Sequence, residues 1–249
     1  MAFPQEIVPE LISYLKNLER RGIKSLYLDA ATSELNVEPE SSRVTPDHPE
    51  PEPKDTPVAT PAATASVAGL LAELETKVKV CTECGLHEGR TNSVFGTGDP
   101  ATKVLFIGEG PGRDEDIQGL PFVGRSGQLL TKILAAIDLE RKDVYITNMV
   151  KCRPPNNRDP QENEVRCCEQ YLKVQIDLIK PRIICALGRI AAQWLLDKTT
   201  SLGEMRKSEH AYRGIPVLVT YHPAALLRNP GLKKAAWEDF KRLRDILTD

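Results

Sequence analysis

The stretch VLFIGEGPG (104–112) joins a short apolar run to a glycine-rich turn, and this pattern of a strand followed by a turn decides the fold. Three further apolar runs follow it, at 144–146, 183–187 and 217–220. Helical patterns lie between and after them, at 126–137, 161–180, 189–197 and 232–247. Strands that alternate with helices favour right-handed crossovers and a mostly parallel sheet. We therefore predict an α/β fold, a three-layer α/β/α sandwich with a central four-stranded, mostly parallel sheet.

Polar or glycine residues follow each predicted strand. Glu109 and Gly110 come after the first strand, Asn148 after the second, Gly188 after the third and His222 after the fourth. Ligands of open α/β sheets bind just beyond the carboxyl ends of the strands. We therefore expect an acid, an amide and an imidazole to converge at one edge of the sheet and to form a small polar pocket.

Composition divides the chain into three parts. Within residues 1–30, four aliphatic residues share one helical stripe: Ile7, Leu11, Leu15 and Leu18. Residues 31–66 include seven prolines between Pro39 and Pro61, which predicts a disordered linker because such a segment buries little apolar surface. Residues 67–249 are predicted to form the folded domain.

The overall composition is that of a chain with an ordinary core, at 41% hydrophobic and 27% charged residues. No apolar run approaches the ~18 residues that span a bilayer, and the N-terminus resembles neither a signal nor a transit peptide. We expect a cytoplasmic protein with no membrane contact. The net charge of −2 neither requires nor excludes a polyanionic partner.

Six cysteines in such a chain point to metal or redox chemistry before disulfides. Cys81 and Cys84 form a C-x2-C pair, and Cys152 and Cys168 can complete a set of four thiolates. Zinc and a [4Fe–4S] cluster both accept four thiolates, so the spacing does not choose between them. The alternative is a set of buried, apolar cysteines, which is what we expect of Cys185 inside the third strand.

Four motifs, in this order along the chain, resemble those of the family 4 (iron–sulfur) uracil-DNA glycosylases. They are GEGPGRDED (108–116), LPFVGRSGQLL (120–130), ITNMVKCRPPNNRDP (146–160) and HPAALLRNP (222–230). The resemblance covers roughly residues 70–245 and leaves out the N-terminal segment and the linker. It implies a prokaryotic repair enzyme that flips uracil out of DNA and hydrolyses its N-glycosidic bond, leaving an abasic site.

The resemblance implies that Cys81, Cys84, Cys152 and Cys168 hold a structural [4Fe–4S] cluster, with no diffusible cofactor. It favours Cys168 over Cys167 because the family pattern Cys-x-x-Tyr-Leu-x-x-Gln-Ile starts at Cys168. Whether Cys167 can substitute for its neighbour stays open.

The same resemblance implies two catalytic residues. Glu109 matches the residue that positions or activates water, and a carboxylate there also favours the developing sugar cation. His222 would donate to the uracil O2 as negative charge builds on the leaving base. Gly110 belongs to the substrate site, at the position where other glycosylase families keep a catalytic Asp.

Three further residues are implied to contact the base. Phe122 would stack on the flipped ring, Asn148 would pair with its Watson–Crick edge, and Glu115 would fill the space that the methyl group of thymine needs. The alternatives are a core Phe122, an Asn148 that caps the strand end, and a solvated acidic turn at Glu115 and Asp116.

The segment after His222 resembles a loop that enters the minor groove. It contains Ala225, Leu226, Leu227 and Arg228, with an apolar wedge for the vacated stack and an arginine for phosphate. The alternative is an ordinary helix start with Pro223 at its first position and the leucines in the core. The backbone of 108–112 and the loop 153–158 are expected to add phosphate contacts.

We expect a monomer that acts on uracil in single- or double-stranded DNA, with a repair or replication partner for the N-terminal helix. Three other readings stay open at this point. One is an electron-transfer iron–sulfur module, and another is a zinc-stabilised scaffold. The third is a relative that traps DNA covalently through a nucleophilic histidine, for which His210 is the nearest match.

Overall fold

The computed structural model of the protein describes residues 66–248. The predicted N-terminal helical segment and the predicted linker, except Ser66, lie outside the described residues. Ser66 is the N-cap of the first helix, since its hydroxyl accepts the N–H of Gly69 at 3.1 Å.

Strands and helices alternate along the described chain. The strands are β1 (Thr97–Gly98), β2 (Val104–Gly108), β3 (Tyr145–Asn148), β4 (Ile183–Leu187), β5 (His210–Tyr212) and β6 (Ile215–Thr220). The α-helices are α1 (Val67–Lys79), α2 (Leu86–Gly89), α3 (Arg113–Gln118), α4 (Arg125–Ala135), α5 (Glu162–Ile179), α6 (Arg189–Leu196), α7 (Leu202–Met205), α8 (Pro223–Arg228) and α9 (Lys233–Thr248). Short 3-10 turns cover Arg141–Asp143, Pro155–Asn157 and Pro230–Leu232.

The six strands form one sheet in the order β1-β3-β2-β4-β6-β5. The four predicted strands are its parallel centre, which confirms the α/β fold. The expectation of four strands in total is corrected to six, because β1 and β5 add antiparallel edges. These edges have two and three residues, too few to show a periodic pattern.

The central strands are buried on both faces, which explains why they are continuous apolar runs. Leu105 and Ile107 of β2 pack into a core with α1 and α5, whereas Val104 and Phe106 pack into a second core with α4 and α9. The same alternation holds along β4 and β6. Helices therefore cover the sheet on both sides, as the sandwich prediction requires.

The carboxyl ends of β2, β3, β4 and β6 lie side by side, so the residues that follow these strands are neighbours. Gly188 shows how closely they pack: its φ is +96°, and a Cβ atom there would lie 2.9 Å from the Cβ of His222. Among the described helices, none combines the length and the hydropathy that a bilayer crossing needs.

Candidate active site

A cleft of about 460 Å³ opens at this edge of the sheet. It is lined by all six residues that were predicted to act on or bind the base: Glu109, Gly110, Glu115, Phe122, Asn148 and His222. Their segments follow three different strands, so the topology of the sheet brings them together from more than a hundred positions apart.

Asn148 ends β3 and is almost fully buried at the floor of this cleft. Its side-chain Oδ1 is buried and has no hydrogen-bond partner among the described residues. A buried acceptor without a partner costs about 1–3 kcal/mol. Asn148 thus places an unpaired buried acceptor at a residue that lines the cleft.

Phe122 lies beside His222, with ring centroids 5.4 Å apart and an angle of 35° between the ring planes. The ring is buried in the second core and also lines the cleft. It approaches the backbone of β2 so closely that a Cβ at position 108 would lie 2.7 Å from its Cζ atom. Phe122 is thus both a core residue and a wall of the site.

Glu115 and Asp116 do not form a solvated acidic turn, since they are 8% and 3% exposed. Glu115 Oε1 accepts the backbone N–H groups of Val123 at 2.9 Å and Gly124 at 2.8 Å. Asp116 Oδ1 accepts the N–H of Thr91 at 2.9 Å. Both carboxylates therefore fix loops, and that of Glu115 does so at the edge of the cleft.

His222 is the N-cap of α8, and its Nδ1 accepts the backbone N–H of Ala224 at 3.2 Å. Burial, together with the nearby Arg228, lowers the pKa of the imidazole from 6.5 to about 4. The ring is therefore neutral near pH 7. With Nδ1 acting as the acceptor, its hydrogen is on Nε2, which makes Nε2 the donor of this side chain.

Burial, and to a lesser extent the Asp159 carboxylate, raises the pKa of Glu109 from 4.5 to about 7, while Arg189 and Arg228 oppose the change. Asp159 and Arg189 line the same cleft and form an ion pair, with Nη2 and Oδ2 2.9 Å apart. Glu109 therefore faces a second carboxylate and two guanidinium groups. A carboxyl with a pKa near the working pH suits proton transfer.

The predicted DNA-binding segment forms α8, with Pro223 at its first position. Ala225 and Arg228 line the cleft, and Leu227 is 38% exposed on the groove next to it. Leu226 is 2% exposed, so its predicted contact with DNA is wrong: the helical turn directs it into the core. The outer face of α8 thus carries Leu227 and Arg228.

The four cysteines predicted as ligands line one narrow pocket between α1, α5 and the loop after β3, together with Cys167. The Sγ of Cys152 accepts from Arg90 at 3.2 Å, and the Sγ of Cys168 accepts the N–H of Lys151 at 3.3 Å. Burial raises the pKa of Cys168 to about 12, although the nearby Lys151 opposes the change. Within residues 66–248, no three His, Cys, Asp or Glu side chains are arranged to hold a single metal ion.

Lys151 is fully buried between this pocket and the cleft. Its Nζ donates to Thr147 Oγ1 at 2.6 Å, to the carbonyl of Asn148 at 2.8 Å and to Gln175 Oε1 at 2.6 Å. The Thr147 hydroxyl donates its own hydrogen to the carbonyl of Phe95, so it is free to accept from the lysine. Three acceptors match the three donors of an ammonium group. They stabilise the charged form against burial, which lowers the pKa of Lys151 from 10.5 to about 7.

The sequence reading missed several residues that shape the site: Asp159, Arg189, Lys151 and Arg141. Asp159 and Lys151 stand inside the quoted motif 146–160, and Arg189 follows Gly188 directly, so their positions beside strand ends were a usable signal. Arg141 precedes β3 and has no such signal. Cys185 is in the core as predicted.

His210 does not support the reading of a covalent trap. It lies on the edge strand β5 and is absent from the lining of the cleft. Its Nε2 lies 2.8 Å from the carbonyl of Met205, and its Nδ1 lies 3.2 Å from Lys198 Nζ. Both ring nitrogens are therefore engaged within the protein.

Comparison with known proteins agrees with this architecture. The model of the uracil DNA glycosylase superfamily matches residues 95–241. A type-4 uracil-DNA glycosylase of Sulfurisphaera tokodaii is 45% identical over 185 residues, covering 71% of this chain and 84% of the relative. One of Thermotoga maritima is 43% identical over 182 residues, covering 72% and 95%. A type-5 uracil-DNA glycosylase of Thermus thermophilus is 34% identical over 153 residues, covering 52% and 68%.

The sheet, the cleft at its carboxyl edge and the family match define a member of the uracil-DNA glycosylase superfamily. Identity is higher, and extends over more of the chain, for the type-4 proteins than for the type-5 protein. The chain therefore belongs to the type-4 uracil-DNA glycosylases.

Proposed function

We propose that the cleft receives a uracil nucleotide flipped out of DNA, and that Glu109 and His222 act on its N-glycosidic bond. As a member of the type-4 family, the chain is a uracil-DNA glycosylase, a hydrolase that removes uracil from DNA in DNA repair. The assignment of the cleft rests above all on one observation: Asn148 lines the cleft, and its buried Oδ1 has no hydrogen-bond partner among the described residues.

Uracil offers hydrogen-bonding groups that complement the side-chain amide of Asn148. Its N3–H would donate to Oδ1, and the amide nitrogen of Asn148 would donate to O4. Cytosine presents an acceptor at N3 and a donor at its exocyclic nitrogen, so both pairs would be mismatched. Leaving buried polar groups unpaired discriminates strongly between such ligands. The buried carboxylate of Glu115 would exclude the methyl group of thymine.

Cleavage separates charge, since the sugar becomes oxocarbenium-like and uracil leaves with the bonding electron pair. The neutral His222 would donate from Nε2 to O2 of the base, where the negative charge collects. Glu109 would stabilise the sugar cation and accept a proton from the water that attacks C1′. The products are an abasic site and free uracil, and the uracil anion then takes a proton from solvent.

Extrusion of the nucleotide costs a few kcal/mol, which contacts made by the bound DNA must offset. The exposed face of α8 is suited to this task. Leu227 would fill the vacated stack, and Arg228 and the backbone at Ala225 would meet the strand near the cleft. Arg158 contributes less than predicted, because its guanidinium is already paired with Glu164 at 2.6 Å.

The cysteine pocket supplies four thiols, the number that either a [4Fe–4S] cluster or a zinc ion needs. The motifs that the chain shares with the iron–sulfur glycosylases favour the cluster. Cys81, Cys84, Cys152 and Cys168 would hold the cluster, whose contribution is to join α1 and α5 to the loop after β3.

The deciding experiment uses the purified protein and a single-stranded oligonucleotide with one uracil. After treatment with alkali, we expect cleavage at the uracil and none in matched strands with cytosine or thymine at that position. An Asn148→Ala variant should lose at least tenfold in kcat/KM, since one buried hydrogen bond is removed. An intact uracil strand at high enzyme concentration, with iron bound, would overturn the assignment.

The remaining proposals concern the whole chain. Residues 1–30 would form a helix that binds a repair or replication partner, residues 31–66 a linker, and residues 67–249 the glycosylase domain. The protein would act as a cytoplasmic monomer without a diffusible cofactor. A truncation that starts at Ser66 and keeps full activity on the oligonucleotide would support this division; loss of activity in a folded truncation would overturn it.

A further inference from the structure

The turn Pro121–Gly124, which carries Phe122, is held from two sides by charged groups. On one side, Glu115 Oε1 accepts the N–H groups of Val123 and Gly124. On the other side, Arg141 donates from Nη2 to the carbonyl of Pro121 at 2.8 Å and from Nη1 to the carbonyl of Phe122 at 3.1 Å. A carboxylate thus binds the donors of the turn, and a guanidinium binds its acceptors.

This turn needs such support because Phe122 adopts a φ of +54°, in the left-handed region that a bulky residue rarely occupies. Strained backbone of this kind persists only where the surroundings determine it. Gly127 in α4 leaves the necessary space, because a Cβ at this position would overlap the carbonyl of Phe122. The orientation of the Phe122 ring therefore depends on how firmly the turn is held.

We propose that Arg141 is a positioning residue of the glycosylase: its two hydrogen bonds fix the Phe122 turn and thereby the face on which uracil stacks. The proposal rests on the stacking role given to Phe122 above. Arg141 belongs to the 3-10 turn before β3 and is not among the residues that line the cleft, so it acts through Phe122. A planar guanidinium suits two neighbouring carbonyls, whereas a lysine offers a single point of attachment.

A double-mutant cycle tests this dependence. Arg141→Met and Phe122→Ala are compared, singly and together, on the uracil oligonucleotide and with free uracil as inhibitor. We expect Arg141→Met to lower kcat/KM by about 10- to 100-fold, as misplacement by about 1 Å does, and to weaken inhibition by uracil. The double variant should fall no further than Phe122→Ala alone, and Arg141→Lys should recover part of the loss.

Lys142→Met is the matched control, because this neighbouring side chain is exposed and forms an ion pair with the exposed Glu140. It should keep the rate of the original protein. If Arg141→Met fails to fold, the cycle with Arg141→Lys decides the question in its place.

The outcomes separate the two proposals. If Phe122→Ala lowers kcat/KM while Arg141→Met keeps the rate of the original protein, only the role of Arg141 is overturned. The same conclusion follows if the two losses in kcat/KM multiply in the double variant, because the residues then act independently. A Phe122→Ala variant with full rate and unchanged inhibition by uracil overturns the stacking role, and the inference with it.

Discussion

The Nδ1 atom of His222 accepts the backbone N–H of Ala224 at 3.2 Å, so the first turn of α8 determines which ring nitrogen can donate. The contact orients the imidazole and leaves Nε2–H for the cleft. Because burial keeps this ring neutral down to about pH 4, its protonation does not limit activity near neutral pH. Any change of rate with pH in that region must come from another group.

We propose Glu109 as that group, because burial raises its pKa to about 7. As a base it acts only when ionised, so we predict that kcat/KM rises between pH 6 and pH 8 and levels off above. Measurement of kcat/KM on the oligonucleotide across this range checks the prediction. A Glu109→Gln variant should be slow at every pH without the rise near 7, and a Glu109→Gln variant with full rate removes the residue from the mechanism.

The same variant has an effect on stability. The folded protein favours the neutral form of Glu109, so this residue stabilises the fold most below pH 4.5 and loses that contribution as the pH rises through 7. The Tm of Glu109→Gln should therefore be higher than that of the original protein at pH 8.5 and close to it at pH 4.5, as measured by thermal unfolding. A lower Tm for the variant at pH 8.5 would contradict this.

Asp159→Asn should move the rise in kcat/KM to lower pH, because it removes a carboxylate that raises the pKa of Glu109 and releases Arg189, which lowers it. The midpoint of the pH profile is the measurement. Asp177→Asn serves as control, since Asp177 forms an exposed ion pair with Arg213 elsewhere on the surface. A midpoint that stays in place, or moves upward, would show that Asp159 does not act on Glu109.

Gly188→Ala should lower both activity and stability. The new Cβ would meet the Cβ of His222 at 2.9 Å on a backbone with φ of +96°, which strains the turn by about 1–3 kcal/mol. Gly203→Ala is the control, because its Cβ would meet only the Ser201 hydroxyl, at 4.0 Å. Denaturant unfolding and the oligonucleotide assay check the two variants. Equal stability and equal activity of Gly188→Ala and Gly203→Ala would refute the close packing at Gly188.

Cys168→Ser should lose bound iron, whereas Cys167→Ser should keep it. Cys168 is the more buried of the two, and its sulfur already accepts a backbone N–H, as the ligands of iron–sulfur clusters do. Iron and sulfide analysis of the two purified variants decides between them. Loss of iron in Cys167→Ser alone would assign the ligand to Cys167.

Lys151→Met should destabilise the fold, because Thr147 Oγ1, the Asn148 carbonyl and Gln175 Oε1 all lose their donor. Each buried acceptor left unpaired costs about 1–3 kcal/mol. Urea unfolding measures the change, with the exposed Lys173→Met as control. A variant as stable as the control would show that other donors replace the ammonium group.

The central strands were predictable because burial on both faces gives them short continuous apolar runs, each followed by a turn. The edge strands were not predictable, because two or three residues are too few to show the alternation of apolar and polar residues that marks a strand. Leu226 was misplaced because the sequence offered both a groove-binding loop and a helix start for this segment. The helix that forms buries Leu226 and leaves Leu227 exposed. The role of Arg141 was hidden for another reason: its acceptors are backbone carbonyls twenty positions away, which leave no trace in side-chain patterns.

Asn148 and Cys152 stand on one short segment, and the side chain of Lys151 folds back onto the carbonyl of Asn148. The amide proposed to contact the base and the sulfur proposed to bind iron thus lie four residues apart on one buried segment. Redesign of the cysteine pocket, for example by replacing two of its thiols with a disulfide, is therefore expected to disturb the position of Asn148 as well.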